Sequence, residues 1–268
     1  DTKWALGGSI RYDKSRITGA EKNGGLRYIR QTKGFDIEAG HPIAEYTRAF
    51  LQYSFDDINL LRVFEEDIVA TRLDRENGVK SAVKATIRYD KRNNRLDPSG
   101  GFYAQFSEEF AGLGGNRDFL RSIIDLRWYK TIFDNLVFRT RFEVGNIAAT
   151  TNEGVQTDER FFLGGPSTLR GYRLFSVSPR EEVFRTRVNE TTGVRTQEAV
   201  VPQPVVGGSN KILFNAELVY PLLNEIGLKL VLFYDAGDAF DGMNIRVHQN
   251  WGWGLRWFSP LGPLRFEW

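Results

Sequence analysis

The chain has 268 residues, with 36 Lys and Arg against 34 Asp and Glu, no cysteine and 13% aromatic residues. A net charge of +2, with both signs interleaved along the whole length, excludes the one-sided basic face of a nucleic-acid binder. No run of about 18 apolar residues occurs, which excludes a transmembrane helix, and the lack of cysteine suits an oxidising compartment such as the periplasm and cell surface.

From the N-terminus onward the hydrophobic period is two. A long link over residues 14–30 is followed by a short turn at 41–45 and a second long link at 56–79. That second link carries Glu65-Glu66-Asp67, which reads as a solvated acidic loop in preference to a cation site. Residues 81–90 then alternate, with Val83, Ala85, Ile87 and Tyr89 on one face and Ala82, Lys84, Thr86 and Arg88 on the other. A turn at 91–99 follows, its Asp97-Pro98-Ser99-Gly100 supplying turn chemistry. Past a link at 111–117, residues 118–131 alternate again and end at Phe133-Asp134. In 136–145, Leu136, Phe138, Thr140, Phe142 and Val144 oppose Val137, Arg139, Arg141, Glu143 and Gly145.

A link of about sixty residues, 148–206, interrupts the series. Alternation resumes at 211–220, turns at 221–225 and continues at 227–236. There Leu228, Leu230, Leu232 and Tyr234 oppose Lys229, Val231, Phe233 and Asp235. After a link at 238–244, residues 251–258 present Trp251, Trp253, Leu255 and Trp257 as one aromatic face, and a turn at 259–263 follows. Helical spacing is sustained nowhere.

The pattern predicts an all-β chain of about eleven strands, many of ten or more residues, joined by alternating short and long connections. That layout is the transmembrane antiparallel β-barrel of an outer membrane, with short turns on the periplasmic rim and long loops outside. A soluble sandwich or propeller also alternates, but it needs a second layer to cover faces such as Leu228, Leu230 and Leu232. In a barrel those side chains meet lipid and the charged faces line a wet lumen. Trp4, Tyr103, Trp128, Tyr129, Tyr220 and Trp251, near strand ends, are expected in the interfacial girdles.

The long link contains Phe162-Leu163-Gly164-Gly165-Pro166-Ser167-Thr168-Leu169-Arg170-Gly171-Tyr172, followed by Ser178-Pro179-Arg180. Three further blocks, 94–101 (NRLDPSGG), 218–240 (with Asp235-Ala236-Gly237) and 252–268 (with Ser259-Pro260-Leu261-Gly262-Pro263), keep the same order as a known set. Together they resemble the BamA superfamily of outer-membrane insertases and secretion barrels. Its sixth extracellular loop carries Gly-Gly leading to Arg-Gly-Phe/Tyr, with Gly/Ser-Pro-Arg shortly after. The resemblance implies that this loop folds into the lumen, where Arg170, with Gly171 and Tyr172, is held by acidic residues at Glu217 and Asp235. Alternation independently points both carboxylates inward, because Glu217 shares a face with Lys211 and Asn215, and Asp235 with Lys229. An Arg fork on carboxylates makes a directional tether, and Gly171 permits a tight turn beside it. Gly164, Gly165, Pro179 and Arg180 support the loop. Gly164-Gly165-Pro166 reads as a turn, since no helix follows to make an anion cradle. The cluster either plugs and stabilises the barrel or takes part in gating, and the two roles overlap.

Set against the family's sixteen strands, residues 1–268 correspond to about the fifth to the fifteenth. The first four strands, the last strand and the N-terminal POTRA domains are expected to lie outside this chain, and with them both strands of the lateral gate. The implied activity is non-enzymatic insertion and folding of β-barrel client proteins in the outer-membrane bilayer, with accessory lipoproteins of an assembly complex as partners. A TamA-like or two-partner secretion transporter is the alternative within the superfamily, and a passive porin the more distant one. No cofactor or metal is expected: His41 and His248 lack ligand spacing, and no Ser/His/Asp set is evident.

Overall fold

The computed structural model describes residues 3–18, 27–62, 77–182, 184–188, 195–199, 203, 205–259 and 262–268. The acidic Glu65-Glu66-Asp67 stretch lies outside the described residues. Seven strands precede the long loop: β1 (Ala5–Thr18), β2 (Arg27–Ala44), β3 (Thr47–Arg62), β4 (Gly78–Asp90), β5 (Gly101–Ala111), β6 (Phe119–Phe133) and β7 (Leu136–Ala149). The loop carries a small hairpin, β8 (Phe184–Val188) with β9 (Arg195–Ala199). Beyond it come β10 (Asn210–Leu223), β11 (Leu228–Phe240), β12 (His248–Ser259) and β13 (Gly262–Glu267). Eleven strands form one antiparallel sheet in chain order, with β7 pairing directly to β10 and the loop left over. β1 and β13 are the two edges of this sheet.

The largest departures from the sequence reading are in the first two links. Strand pairing continues from Lys14↔Gln31 to Thr18↔Arg27, so much of the expected 14–30 link is strand, and β3 runs on to Arg62. At about 3.3 Å per residue, the 18 residues of β2 exceed the roughly 9–11 that a tilted crossing needs. The outer ends of β1–β3 therefore stand beyond the apolar band, where the outward face turns polar at Lys14, Arg16, Gln31 and Asp57 and alternation gives no signal of a lipid-facing strand. On the opposite rim the strands run through Pro42 and Pro221, and each proline sits at a register shift where its missing N–H breaks no ladder bond. The β6–β7 connection is a two-residue turn with Asp134 and Asn135 at positive φ, the type I′ geometry those residues favour.

Burial runs opposite to that of a soluble protein. Ile87, Ile124, Phe142, Leu232 and Trp253 are exposed, whereas Asp56, Glu109, Asp125, Glu143 and Asp235 are buried. That inversion is the mark of a sheet whose outer face meets lipid. Trp4, Trp128, Tyr220 and Trp251 point outward as expected. Tyr103 and Tyr129 do not, which corrects the girdle assignment. Tyr129 follows outward Trp128 in a pleated strand and so faces in, while Tyr103 lies between the guanidinium groups of Arg92 and Arg127, 4.8 and 5.2 Å from its ring.

The lumen is also not wet throughout. At the extracellular ends of β4–β7, β10 and β11 the inner wall carries Ala82, Ala111, Phe119, Ile147, Leu213 and Ala239. Phe161, Leu163, Leu169 and Val177 of the loop pack against them. Each such side chain taken out of water contributes about 1.5–3 kcal/mol, so the loop enters the lumen as a hydrophobic plug. Farther along, Val205 and Phe162 pack on Tyr28, Ile58 and Leu60 of β2 and β3. A loop that touches β2, β7 and β11 together requires the sheet to curl around it.

Candidate functional site

Two buried clusters of charge fix the loop to the wall. The first centres on a short 3-10 turn, Thr157–Glu159. The Arg117 guanidinium, fully buried, donates from Nη1 to both Asp158 oxygens at 2.9 Å. Glu159 receives Arg121 Nη2 at 2.5 Å and Arg30 Nη2 at 3.2 Å, and Lys80 Nζ lies 3.7 Å away. Burial alone pushes the Glu159 carboxyl up, but the surrounding Lys80, Arg121 and Arg30 outweigh it and hold it well below the usual carboxylate range.

The second place is Arg170, which reaches the wall of β10–β13. Its Nε and Nη2 make a fork on Asp235 at 2.7 and 2.5 Å, and its backbone N–H donates to the same carboxylate at 3.1 Å. Nη1 donates to Glu217 at 2.7 Å and approaches Glu267 at 3.5 Å. The guanidinium lies 3.8 Å from the centre of the Phe233 ring. Arg256 completes the group, donating to Glu217 at 2.5 and 2.9 Å and to Glu267 at 2.9 Å. Two cations thus face three carboxylates, and Asn215 Nδ2 donates to Asp235 at 2.7 Å and to the Thr168 carbonyl at 2.8 Å. Buried charges of this density are tolerable only when paired and hydrogen-bonded on several sides.

Local sequence explains how the loop presents Arg170. Gly164 and Gly165 adopt φ of 105° and 102°, and Gly165 N–H donates to the carbonyls of Leu169 and Tyr172 at 3.1 and 3.0 Å. Gly164 N–H donates to Thr168 Oγ1 at 3.0 Å. Gly171 has φ of 80°, and a Cβ there would strike the side-chain amide of Asn250, which donates to the Arg170 carbonyl at 2.9 Å. Tyr172 donates from its hydroxyl to the Gln249 carbonyl at 3.1 Å and meets His248 edge-on.

The structure therefore brings Arg170, Gly171, Tyr172, Glu217 and Asp235 together, with Gly164 and Gly165 shaping the approach. Pro179 and Arg180 lie on the returning limb of the loop instead. The Pro179 carbonyl accepts from Val206, and Arg180 donates to the Gln203 carbonyl at 2.7 Å. Of the two histidines, His41 stacks on Trp4, and His248 sits 3.6 Å from Asp238. Sequence reading missed Arg256, Glu267 and Phe233, although the inward alternation of each was available. It also missed the whole Asp158–Glu159 anchor. An adjacent acidic pair early in a sixty-residue loop, matched by inward cations at Lys80 and Arg121, was the signal for it.

An outward apolar sheet curled around an inserted, charge-anchored loop defines an outer-membrane β-barrel with a plugged lumen. The model of the Omp85 superfamily domain matches residues 1–268, and the chain belongs to that superfamily. Two relatives named outer membrane protein assembly factor BamA come from Nitratidesulfovibrio vulgaris and Neorickettsia risticii. They are 26% and 28% identical over 89% and 100% of this chain, which spans 29% and 34% of their length. The human sorting and assembly machinery component 50 homolog is 28% identical over 42% of the chain and 24% of that protein. The crystal structure of BamA from Haemophilus ducreyi lacking POTRA domains 1-3 superposes with a TM-score of 0.79 at 19% identity, covering 99% of this chain and 55% of that one. The protein is located in the bacterial outer membrane.

Proposed function

We propose that this chain is the barrel portion of an outer-membrane protein assembly factor that inserts and folds β-barrel clients in the bilayer, without bond chemistry or a cofactor. The observation that carries the reading is the Arg170 group: a loop motif locked by Asp235, Glu217 and Glu267 to the strands nearest one sheet edge. A locked plug keeps the lumen from acting as a plain diffusion pore and stiffens β10–β13, the strands that precede the expected last strand and its seam. An edge strand is a template for pairing with an incoming strand, so catalysis would consist of strand templating and local disturbance of the bilayer at a seam. The names of the relatives agree with this reading. Client barrels, the lipid bilayer and accessory lipoproteins of an assembly complex are the proposed partners.

The test is depletion of the full-length protein in its host, following several unrelated outer-membrane barrels by heat-modifiable gel mobility. Loss of many folded barrels is the expected result. Loss of a single client would replace this reading with a dedicated secretion transporter, and unchanged levels with a passive pore.

A further inference from the structure

At the middle of the sheet, the outer face breaks its apolar pattern along one row. On β5 the outward residues are Phe102, Ala104, Phe106, Glu108 and Phe110, so a carboxylate sits among lipid-facing side chains. The pairing ladder places Glu108 opposite Ser122 on β6, Ser122 opposite Asn146 on β7, and Asn146 opposite Asn210 on β10. Four polar side chains thus line up across four neighbouring strands. The outward row above them is apolar, running through Val83, Phe110, Leu120 and Ala148. So is the row below, with Ile87, Phe106, Ile124 and Val144.

Depth follows from strand geometry. Successive outward residues are two apart, and at about 3.4 Å per residue with a tilt of roughly 40° each step rises about 5 Å. Glu108 therefore lies about 5 Å below Phe110, inside the apolar band instead of at its rim. At one end of the row Asn146 Nδ2 donates to Asn210 Oδ1 at 2.7 Å. At the other end, Glu108 and Ser122 have no side-chain hydrogen bond or ion pair among the described residues. Across β4 Glu108 faces only Ala85. Strands of this chain border β5–β7 on both sides, so this part of the outer face is complete.

We propose that this row is a binding site for an outer-leaflet glycolipid whose acyl chains are amide-linked and hydroxylated. The row lies toward the long-loop ends of its strands, which sets the leaflet. The depth of Glu108 sets the chemistry. A carboxylate accepts hydrogen bonds and donates none. Just below the headgroups, an ester-linked phospholipid also presents acceptors alone, its ester carbonyls. An amide-linked hydroxyacyl chain presents N–H and O–H donors at that level. Its carbonyl oxygen in turn accepts from Ser122 or from the Asn146 amide. Hydrogen bonds to an ionised acceptor are the strong class, and they strengthen where water is scarce. A lipid held there fixes the barrel in the outer leaflet on the flank away from both sheet edges.

The experiment is native mass spectrometry of the full-length protein in maltoside detergent, titrated separately with lipid A and with phosphatidylglycerol. The second is anionic too, but its chains are linked by esters alone. A saturable lipid A adduct that outlasts any phosphatidylglycerol adduct is expected. Glu108→Gln keeps the shape, removes the charge and should weaken lipid A binding by about tenfold. Ser122→Ala should weaken it by about threefold and serves if the first variant does not fold. Both should leave phosphatidylglycerol adducts unchanged. A photo-crosslinker at position 122 in host membranes should capture the glycolipid. Capture of a protein there would give the row to a second membrane protein and overturn the proposal. Equal retention of the two lipids, or unchanged lipid A affinity in the variants, would overturn it as well.

Discussion

The two anchors of the long loop are built with opposite polarity. At Thr157–Glu159 the loop supplies carboxylates and the wall supplies cations, from Arg30 on β2, Lys80 on β4, Arg117 and Arg121. At Arg170 the loop supplies the cation, and β10, β11 and β13 supply the carboxylates. Eleven residues apart in sequence, the anchors reach different regions of one curled sheet. The difference teaches how a long loop finds one orientation in a polar lumen. If the loop reversed, Asp158 and Glu159 would meet Glu217 and Asp235, and Arg170 would meet Arg117 and Arg121. Like charges in a partly dry space repel strongly, so the wall selects against the wrong placement as well as for the right one.

The largest expected effect comes from removing the loop cation. Arg170→Ala leaves Asp235, Glu217 and Glu267 with Arg256 as their one remaining cation and should loosen loop docking by about 3–5 kcal/mol. Limited proteolysis of the loop and heat-modifiable mobility of the folded barrel report it, and wild-type resistance would remove the tether from the argument. Glu159→Ala acts on the opposite polarity and should cost less, about 3 kcal/mol, because Asp158 and Glu109 still serve the cations it abandons. The double variant sharpens the comparison. Independent anchors give costs that add within about 0.5 kcal/mol, while a loop behaving as one rigid strap gives a larger coupling.

Gly171→Ala probes the shape of the second anchor without changing its charge. A non-glycine residue at φ of 80° beside Asn250 should cost about 1–3 kcal/mol, read as a lower unfolding midpoint in urea. The smallest effect belongs to Asp97, in the turn that reaches across to Arg139 at 2.8 Å and to Lys229. Burial pushes its carboxyl up, but hydrogen bonds from Lys229 and Arg139 outweigh that and hold it below the usual range. A lowered carboxyl contributes its full stability above the unfolded value of about 3.9 and loses it as pH falls through the folded one. Asp97→Asn should therefore remove about 1 kcal/mol or less near neutral pH and flatten the acid limb of a stability–pH curve below about pH 4. An acid limb identical to the wild type's would show that the carboxylate contributes nothing there.

Much of this molecule was legible in the sequence. Alternation identified the faces of β4, β7, β10, β11 and β12 correctly, because side-chain direction in a strand depends on nothing beyond position. It also pointed Glu217 and Asp235 inward, and the Gly-Gly to Arg-Gly-Tyr stretch singled out Arg170. Where the chain leaves the membrane, the same signal fails. Residues 14–18 and 27–30 are strand without a continuous lipid-facing apolar row, and only the pairing ladder reveals them.

What the sequence determined by itself was local: a β-barrel strand pattern, its turns, and which side chains look into the lumen. The tertiary structure decided which of those inward residues meet. Glu267 and Arg256 join Arg170 from 97 and 86 positions away, and Asp97 finds Lys229 across 132. Such pairs are set by sheet curvature and by the depth to which the loop sinks. The dry upper lumen and the opposed polarity of the two anchors have the same origin. Period-two alternation says only that a residue faces in, and closure of the sheet around the loop says what it faces.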